Sequence, residues 1–158
     1  VLIRDLAPAD LARIHAINEA STPGVGATDV DHLAHILAES AIAIGAAVDG
    51  EIAGFCLVLA PGADYGSCNY RWFSDRYDDF VYLDRVAVDP RRRNAGIGAA
   101  LYTEVERRAG GGWFTLEVNL RPRNDGSLRF HERMGFVEVG QQETDYGCLV
   151  SLMAKRLP

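Results

Sequence analysis

Hydrophobic and polar positions divide the chain into short segments of differing period. Val1 to Asp5 alternates loosely, as a short edge strand does. After Pro8 and Asp10, apolar residues recur at three-residue spacing through Leu11, Ile14, Ile17 and Ala20. They give one apolar helix face, ended by Thr22-Pro23-Gly24. A second helix is predicted over Val30 to Glu39, with Leu33, Ile36 and Leu37 on one side. Ala41–Val48 and Ile52–Leu59 are apolar runs joined by Asp49-Gly50. Both positions of such a two-residue turn need positive φ, so the pair reads as a β-hairpin. Residues 61–79 have no period and are long for a connection; a loop of that kind is functional or hides a short helix. Phe80–Val88 reads as a strand closed by Asp89-Pro90. A helix follows from about Gly98 to Arg108, with Ile97, Leu101 and Val105 on its apolar face and Gly110-Gly111-Gly112 as its stop. Trp113–Leu120 is a strand and Ser127–Met134 a short helix ended by Gly135. Phe136–Gly140 and Cys148–Met153 are the last two strands.

The order β-α-α-β-β-β-α-β-α-β-β predicts an α+β fold, a mixed sheet with helices and a βαβ unit at its centre. The 158 residues suit a single domain over 1–158. No apolar run reaches the ~18 residues of a membrane span, and no basic segment leads into an apolar one at the start. Cys56, Cys68 and Cys148 form no CxxC pair and no even set, so neither a disulfide framework nor a bound metal is expected. A cytoplasmic location is the resulting expectation. The formal net charge of −6 argues against nucleic acid as a partner. That charge is unevenly placed. Residues 1–84 hold 4 Arg and 13 Asp+Glu, while residues 85–158 hold 12 Lys+Arg and 9 Asp+Glu. The first half suits a cation and the second an anion.

The anion side narrows to the segment from Tyr82 to Leu101, a strand, a basic glycine turn and a helix. A helix N-terminus exposes unpaired N–H groups and partial positive charge, glycines permit close approach, and Arg93 adds a guanidinium. A P-loop needs Gly-Lys-Ser/Thr, but the only lysine is Lys155. A dinucleotide fingerprint needs GxGxxG, but only Gly96-x-Gly98 is present. The segment has Arg-x-x-Gly-x-Gly after a strand, which resembles the pyrophosphate motif of the GNAT N-acetyltransferase superfamily. Asn124-Asp125-Gly126-Ser127-Leu128-Arg129-Phe130-His131-Glu132-Arg133-Met134-Gly135-Phe136 resembles that family's final-helix pattern and follows the strand Leu116 to Asn119. The resemblance covers residues 80–137 by motif and the first 60 by element order. Asn69 to Phe73 is similar to an uncharacterised bacterial branch of predicted acetyltransferases.

The resemblance implies a mostly antiparallel twisted sheet with a central splayed parallel strand pair and about four helices. It implies acetyl-CoA as cosubstrate. The pantetheine arm would pair with the backbone of Val86 and Val88. The pyrophosphate would lie on the N–H groups of Arg93, Asn94, Ala95, Gly96, Ile97 and Gly98. Asn94 stands where glycine is common and needs a positive φ that Asn tolerates. Asn124 and Ser127 would contact pantetheine or phosphate, and Phe130 would pack beside them. The activity implied is transfer of an acetyl group to a primary amine, on a small molecule or a peptide N-terminus, by direct attack in a ternary complex. A backbone N–H near Val86 would stabilise the oxyanion.

Two carboxylates are candidate bases. Tyr82, Asp84, Val86 and Val88 share one strand face by period two, and Asp84 falls where many relatives carry a glutamate. Thr115, Glu117 and Asn119 form a polar face opposite Phe114, Leu116 and Val118, and Glu117 is slightly preferred. His131 occupies the position of the family's usual tyrosine acid. Either it, or Tyr82, Tyr102 or Tyr146, would protonate the thiolate, or the thiolate leaves unaided. Tyr70, Trp72, Phe73 and Tyr82, with Tyr65, Tyr77 and nearby aspartates, are candidates for binding a cationic amine; the other reading of residues 64–79 is a core-packed lid whose aromatics only fill space. The alternative is a sensor of the same fold that holds acyl-CoA without turnover. A longer acyl chain and a homodimer both remain open.

Overall fold

In the computed structural model, which describes residues 1–158, the chain runs β1 (Leu2–Asp5), α1 (Leu11–Ala20), α2 (Val30–Glu39), β2 (Ile42–Val48), β3 (Glu51–Leu59), α3 (Cys68–Ser74) and β4 (Phe80–Val88). It continues α4 (Ile97–Ala109), β5 (Trp113–Arg121), α5 (Asp125–Arg133), β6 (Val137–Glu143) and β7 (Leu149–Arg156). The strands form one sheet of order β1-β2-β3-β4-β5-β7-β6. All neighbours are antiparallel except β4 and β5. The expected α+β architecture is therefore present, with five α-helices rather than about four. No helix is long and apolar enough to cross a membrane.

The additional helix, α3, lies inside the aperiodic stretch 61–79. Two turns are too short to display a 3.6-residue period. Its signal is local instead: the Ser67 hydroxyl accepts the N–H groups of Asn69 and Tyr70. The Asp49-Gly50 turn has φ of 54° and 80°, which joins β2 to β3 as expected.

Three apolar clusters hold the layers together. Ile97, Leu101 and Val105 of α4 pack with Ile44, Cys56, Phe114 and Leu116 on one face of the sheet. On the other face, Ile14 and Ile17 of α1 and Leu33 and Ile36 of α2 cover Phe55 and Leu57. Tyr70 and Phe73 of α3 cover Phe80, Tyr82 and Leu152. Each fully buried side chain of this size stabilises the fold by roughly 1.5–3 kcal/mol.

Two irregularities in β4 shape the site. β4 and β5 pair only over Phe80–Tyr82 and Trp113–Thr115. At the end of that ladder the Thr115 hydroxyl donates to the Val81 carbonyl at 2.9 Å. Beyond it the two strands part. Opposite β3, Leu57 pairs with Arg85 and Val58 with Leu83, so Asp84 is an extra residue in a β-bulge. The bulge overturns the strict period-two expectation. Leu83, Val86 and Val88 pack with the α4 cluster, while Tyr82 belongs to the opposite face. Thr115, Glu117 and Asn119 keep their alternation against Phe114, Leu116 and Val118.

Candidate active site

A cleft of about 790 Å³ opens where β4 and β5 part, lined by Leu83 and Val86 from one strand and Leu116 and Val118 from the other. On the α4 side it meets Tyr102, Ser127 and His131; on the other side it meets Tyr65 and the loop between α1 and α2. The parted strands thus connect the two faces of the sheet.

α4 begins soon after β4. Asn94 (φ 64°) and Gly96 (φ 77°) turn the chain into the helix, so the sterically tolerant residue and the glycine stand where positive φ is required. α2, α3 and α5 are capped by the side chains of Asp29, Ser67 and Asn124; Gly96 provides no such cap to α4. The first N–H groups of α4 are therefore left to other acceptors, and an anion fits them. A Cβ on Gly54 would lie 2.8 Å from Ile97 Cγ2, so glycine at that point of β3 lets the first turn of α4 sit close to the sheet. Arg93, Asn94, Ala95 and Gly96 form an exposed turn. Val86, Asn124 and Ser127 line the cleft. Asn124 also caps α5, its Oδ1 accepting the Ser127 N–H at 3.2 Å. Ile97 is buried, Val88 and Phe130 pack against the same cluster, and Gly98 lies beneath Phe130.

The two candidate carboxylates have different surroundings. Asp84 Oδ1 accepts the Tyr65 hydroxyl at 2.5 Å, and Oδ2 accepts Arg85 Nε at 3.1 Å. Both oxygens are occupied, and a cation sits beside them. Glu117 Oε1 accepts the Tyr82 hydroxyl at 2.5 Å, and no other side chain bonds to the carboxyl. Glu117 lines the cleft. Burial pushes its carboxyl up to about 8; the Tyr82 hydrogen bond and the charge of Arg85 act against that rise, and the charge of Asp84 adds to it. The Tyr82 hydroxyl is itself pushed up by burial and by Glu117, so it stays protonated as the donor.

His131 is buried on α5. Its Nδ1 lies 2.7 Å from the Ser127 carbonyl, and its Nε2 lies 2.7 Å from the Tyr102 hydroxyl. A carbonyl only accepts, so Nδ1 carries the proton, and Nε2 accepts from Tyr102. Burial lowers the imidazole's proton affinity, which keeps the ring neutral. In this arrangement both ring nitrogens are engaged within the protein, and the one N–H is not free for a thiolate. Tyr102 is held protonated by burial, which makes its hydroxyl a weak acid.

A family model described as the acetyltransferase (GNAT) family matches residues 11–136. The chain belongs to the GNAT acetyltransferase family. That membership makes it an acyltransferase. No curated protein sequence matches this GNAT chain. Among solved structures, the ribosomal-protein-S18-alanine N-acetyltransferase from Escherichia coli is similar at a TM-score of 0.79 and 20% identity, over 99% of this chain and 93% of that one. Ard1 from Thermoplasma volcanium is similar at 0.80 and 20% identity, over 99% and 97%. NAA60 of Arabidopsis thaliana, solved in complex with acetyl-CoA, is similar at 0.77 and 22% identity, over 99% of each chain. These likenesses are of fold.

Within the GNAT chain the aromatic loop divides differently from the sequence expectation. Tyr82 lines the cleft. Phe73 is fully buried in the core under α3, and Tyr70 is buried with its hydroxyl donating to the Ala60 carbonyl at 2.6 Å. Trp72 packs against β6, where a Cβ on Gly140 would lie 2.6 Å from the indole. Tyr70, Trp72 and Phe73 therefore fill space beneath the cleft wall instead of lining it. Of the aspartates, Asp64 lines the cleft, and Asp79 packs against Gly112 at the start of β5. Tyr65, one of the aromatics the sequence offered for a cationic amine, does line it, as do Arg85 and Tyr146, to which sequence reasoning gave no acceptor role. A signal for Tyr146 was available in Asp145-Tyr146-Gly147, a hairpin turn between β6 and β7.

Proposed function

We propose that the protein transfers the acetyl group of acetyl-CoA to a primary amine by direct attack within a ternary complex. One observation carries the reading: a carboxyl near pKa 8, Glu117, lines the cleft left by the parted strands. An incoming ammonium gives its proton to Glu117, whose free oxygen faces no competing side chain. The amine nitrogen then bonds to the thioester carbonyl carbon and sheds its surplus proton to water, the C–S bond breaks, and the thiolate departs. The backbone near Val86 is the candidate donor to the oxyanion, and the uncapped start of α4 is the candidate seat for the diphosphate. Val88, Arg93 to Gly98, Asn124, Ser127 and Phe130 would hold the rest of the cosubstrate. Asp84 is a poorer base, because Tyr65 and Arg85 occupy both of its oxygens.

His131 supports a second reading. Its closed pair with Tyr102 leaves the thiolate no ready acid, as suits an acyl-CoA sensor that does not turn over. Turnover survives this objection because a thiol ionises near pH 8.5, so its thiolate can leave and take a proton from water. The test is release of free thiol from acetyl-CoA across a panel of amines, for the wild type and Glu117→Gln. Glu117→Gln is expected to lower kcat by about 10²–10⁴-fold with the cosubstrate Kd unchanged. Tight acetyl-CoA binding without release for every amine selects the sensor, and full activity in the variant moves the base elsewhere.

A further inference from the structure

The acceptor side of the cleft contains a guanidinium that is only partly used. Arg85 Nε donates to Asp84, and Nη1 donates to Asn18 Oδ1 and to the Gly26 carbonyl, each at 3.0 Å. Those bonds hold the guanidinium plane from β4, from α1 and from the loop that follows α1. The other terminal nitrogen, Nη2, makes no bond. No buried side-chain nitrogen or oxygen of the protein lacks a partner, so Nη2 is reached by solvent. Arg85 is 10% exposed, and it lines the cleft. A guanidinium fixed on one edge and open on the other is a preorganised donor for a carbonyl or carboxylate oxygen. Glu117 lines the same cleft, and the charge of Arg85 acts on its carboxyl.

We infer that the acceptor is the N-terminal residue of a peptide, with its α-amine on Glu117 and its first carbonyl oxygen on Nη2 of Arg85. The inference rests on the acetyl-transfer reading and narrows its acceptor. Amine and carbonyl are separated by one carbon at every peptide start, whatever the side chain. A simple monoamine leaves Nη2 without a partner and forfeits one charge-assisted hydrogen bond. A free amino acid would bring a carboxylate instead. Asp64 and Asp145 line the same cleft, and their charges oppose a further anion. The proton balance agrees. An α-amine ionises at about 7.7–8.0 and a lysine-type amine near 10.4, so Glu117 near 8 takes a proton from the former almost without cost.

The test follows thiol release from acetyl-CoA by the full chain with trialanine amide, alaninamide, free alanine and 2,2-difluoroethylamine, an amine of comparable basicity that lacks a carbonyl. Trialanine amide is expected to exceed difluoroethylamine in kcat/KM by about 10–100-fold, the worth of one hydrogen bond to a charged donor. Arg85→Lys is expected to collapse that ratio, chiefly through the KM of the peptide. General loosening of the acceptor loop lowers both amines together and leaves the ratio, so an unchanged ratio overturns the role of Arg85. Equal use of the two amines by the wild type, or a preference for free alanine over alaninamide, overturns the peptide acceptor and leaves acetyl transfer standing. Absence of release with every amine overturns both.

Discussion

Glu117 and Asp84 stand on neighbouring strands, yet their hydrogen bonds give them different chemistry. Asp84 is bonded to Tyr65 and Arg85 through both oxygens, and Glu117 is bonded only to Tyr82 among side chains. A base must be ionised to accept a proton, so activity should rise with pH through about 8, where Glu117 loses its proton. The ammonium that hands its proton to Glu117 ionises in the same region, so kcat/KM should pass through a maximum and fall again at higher pH. Glu117→Gln removes the proton acceptor, and log kcat/KM should instead climb with ionisation of the amine to a plateau. Superimposable pH profiles for the two proteins would falsify the assignment. The sequence placed Glu117 on the correct polar face, because strand alternation is local. Its choice over Asp84 was not legible there: Arg85 adjoins Asp84 in the chain, but Tyr65, which takes the other Asp84 oxygen, lies 19 residues away, and Tyr82 lies 35 residues from Glu117.

At the scale of elements, the turn into α4 was the most legible part of the site. Arg93-Asn94-Ala95-Gly96 sets its own conformation through two residues suited to positive φ. A carboxylate introduced there should oppose a bound diphosphate, and any L side chain at φ 77° adds strain. Gly96→Glu is thus expected to abolish acetyl-CoA binding in calorimetry, while Gly96→Asn, which tolerates that conformation, retains it. Equal affinity in the glutamate variant sinks the anion seat. α3 and the bulge at Asp84 were less legible. A helix of two turns shows no period, and a bulge adds one residue without any composition signal. The consequence was parity: beyond the bulge Val86 and Val88 turn toward α4, away from the face of Tyr82. The aromatic run 70–73 left two readings open, an amine-binding surface and a core-packed lid, and packing decided for the second. Trp72 and Phe73 resemble a binding surface in composition, but the sheet under α3 needed filling.

Across the whole molecule, the parted strands expose a carboxyl that the folded state prefers to keep protonated. Glu117 ionises at about 8 when folded, against 4.5 for the ordinary group. Between those values the folded chain holds a proton that the unfolded chain releases. Stability from this group is present in full below about pH 4.5 and is lost as pH rises toward 8, by roughly 2–5 kcal/mol. Glu117→Gln should therefore raise Tm by several degrees at about pH 9 and change it little near pH 5, as thermal unfolding at the two pH values can check. An equal Tm shift at both would exclude a buried titrating carboxyl. The charge asymmetry between the two halves also resolves at this scale. Arg91 is tied to Asp89, and Asp64 and Asp145 reach the cleft from opposite halves of the sequence. By itself the sequence determined the order of elements, the hairpin, the turn into α4 and the polar face of β5, since each depends on residues within a few positions of one another. Only the tertiary structure decided which carboxyl is free, which tyrosines line the cleft, that His131 closes on Tyr102, and that Arg85 keeps one nitrogen open. Those outcomes depend on burial and hydrogen bonds between distant segments, and no local pattern encodes them.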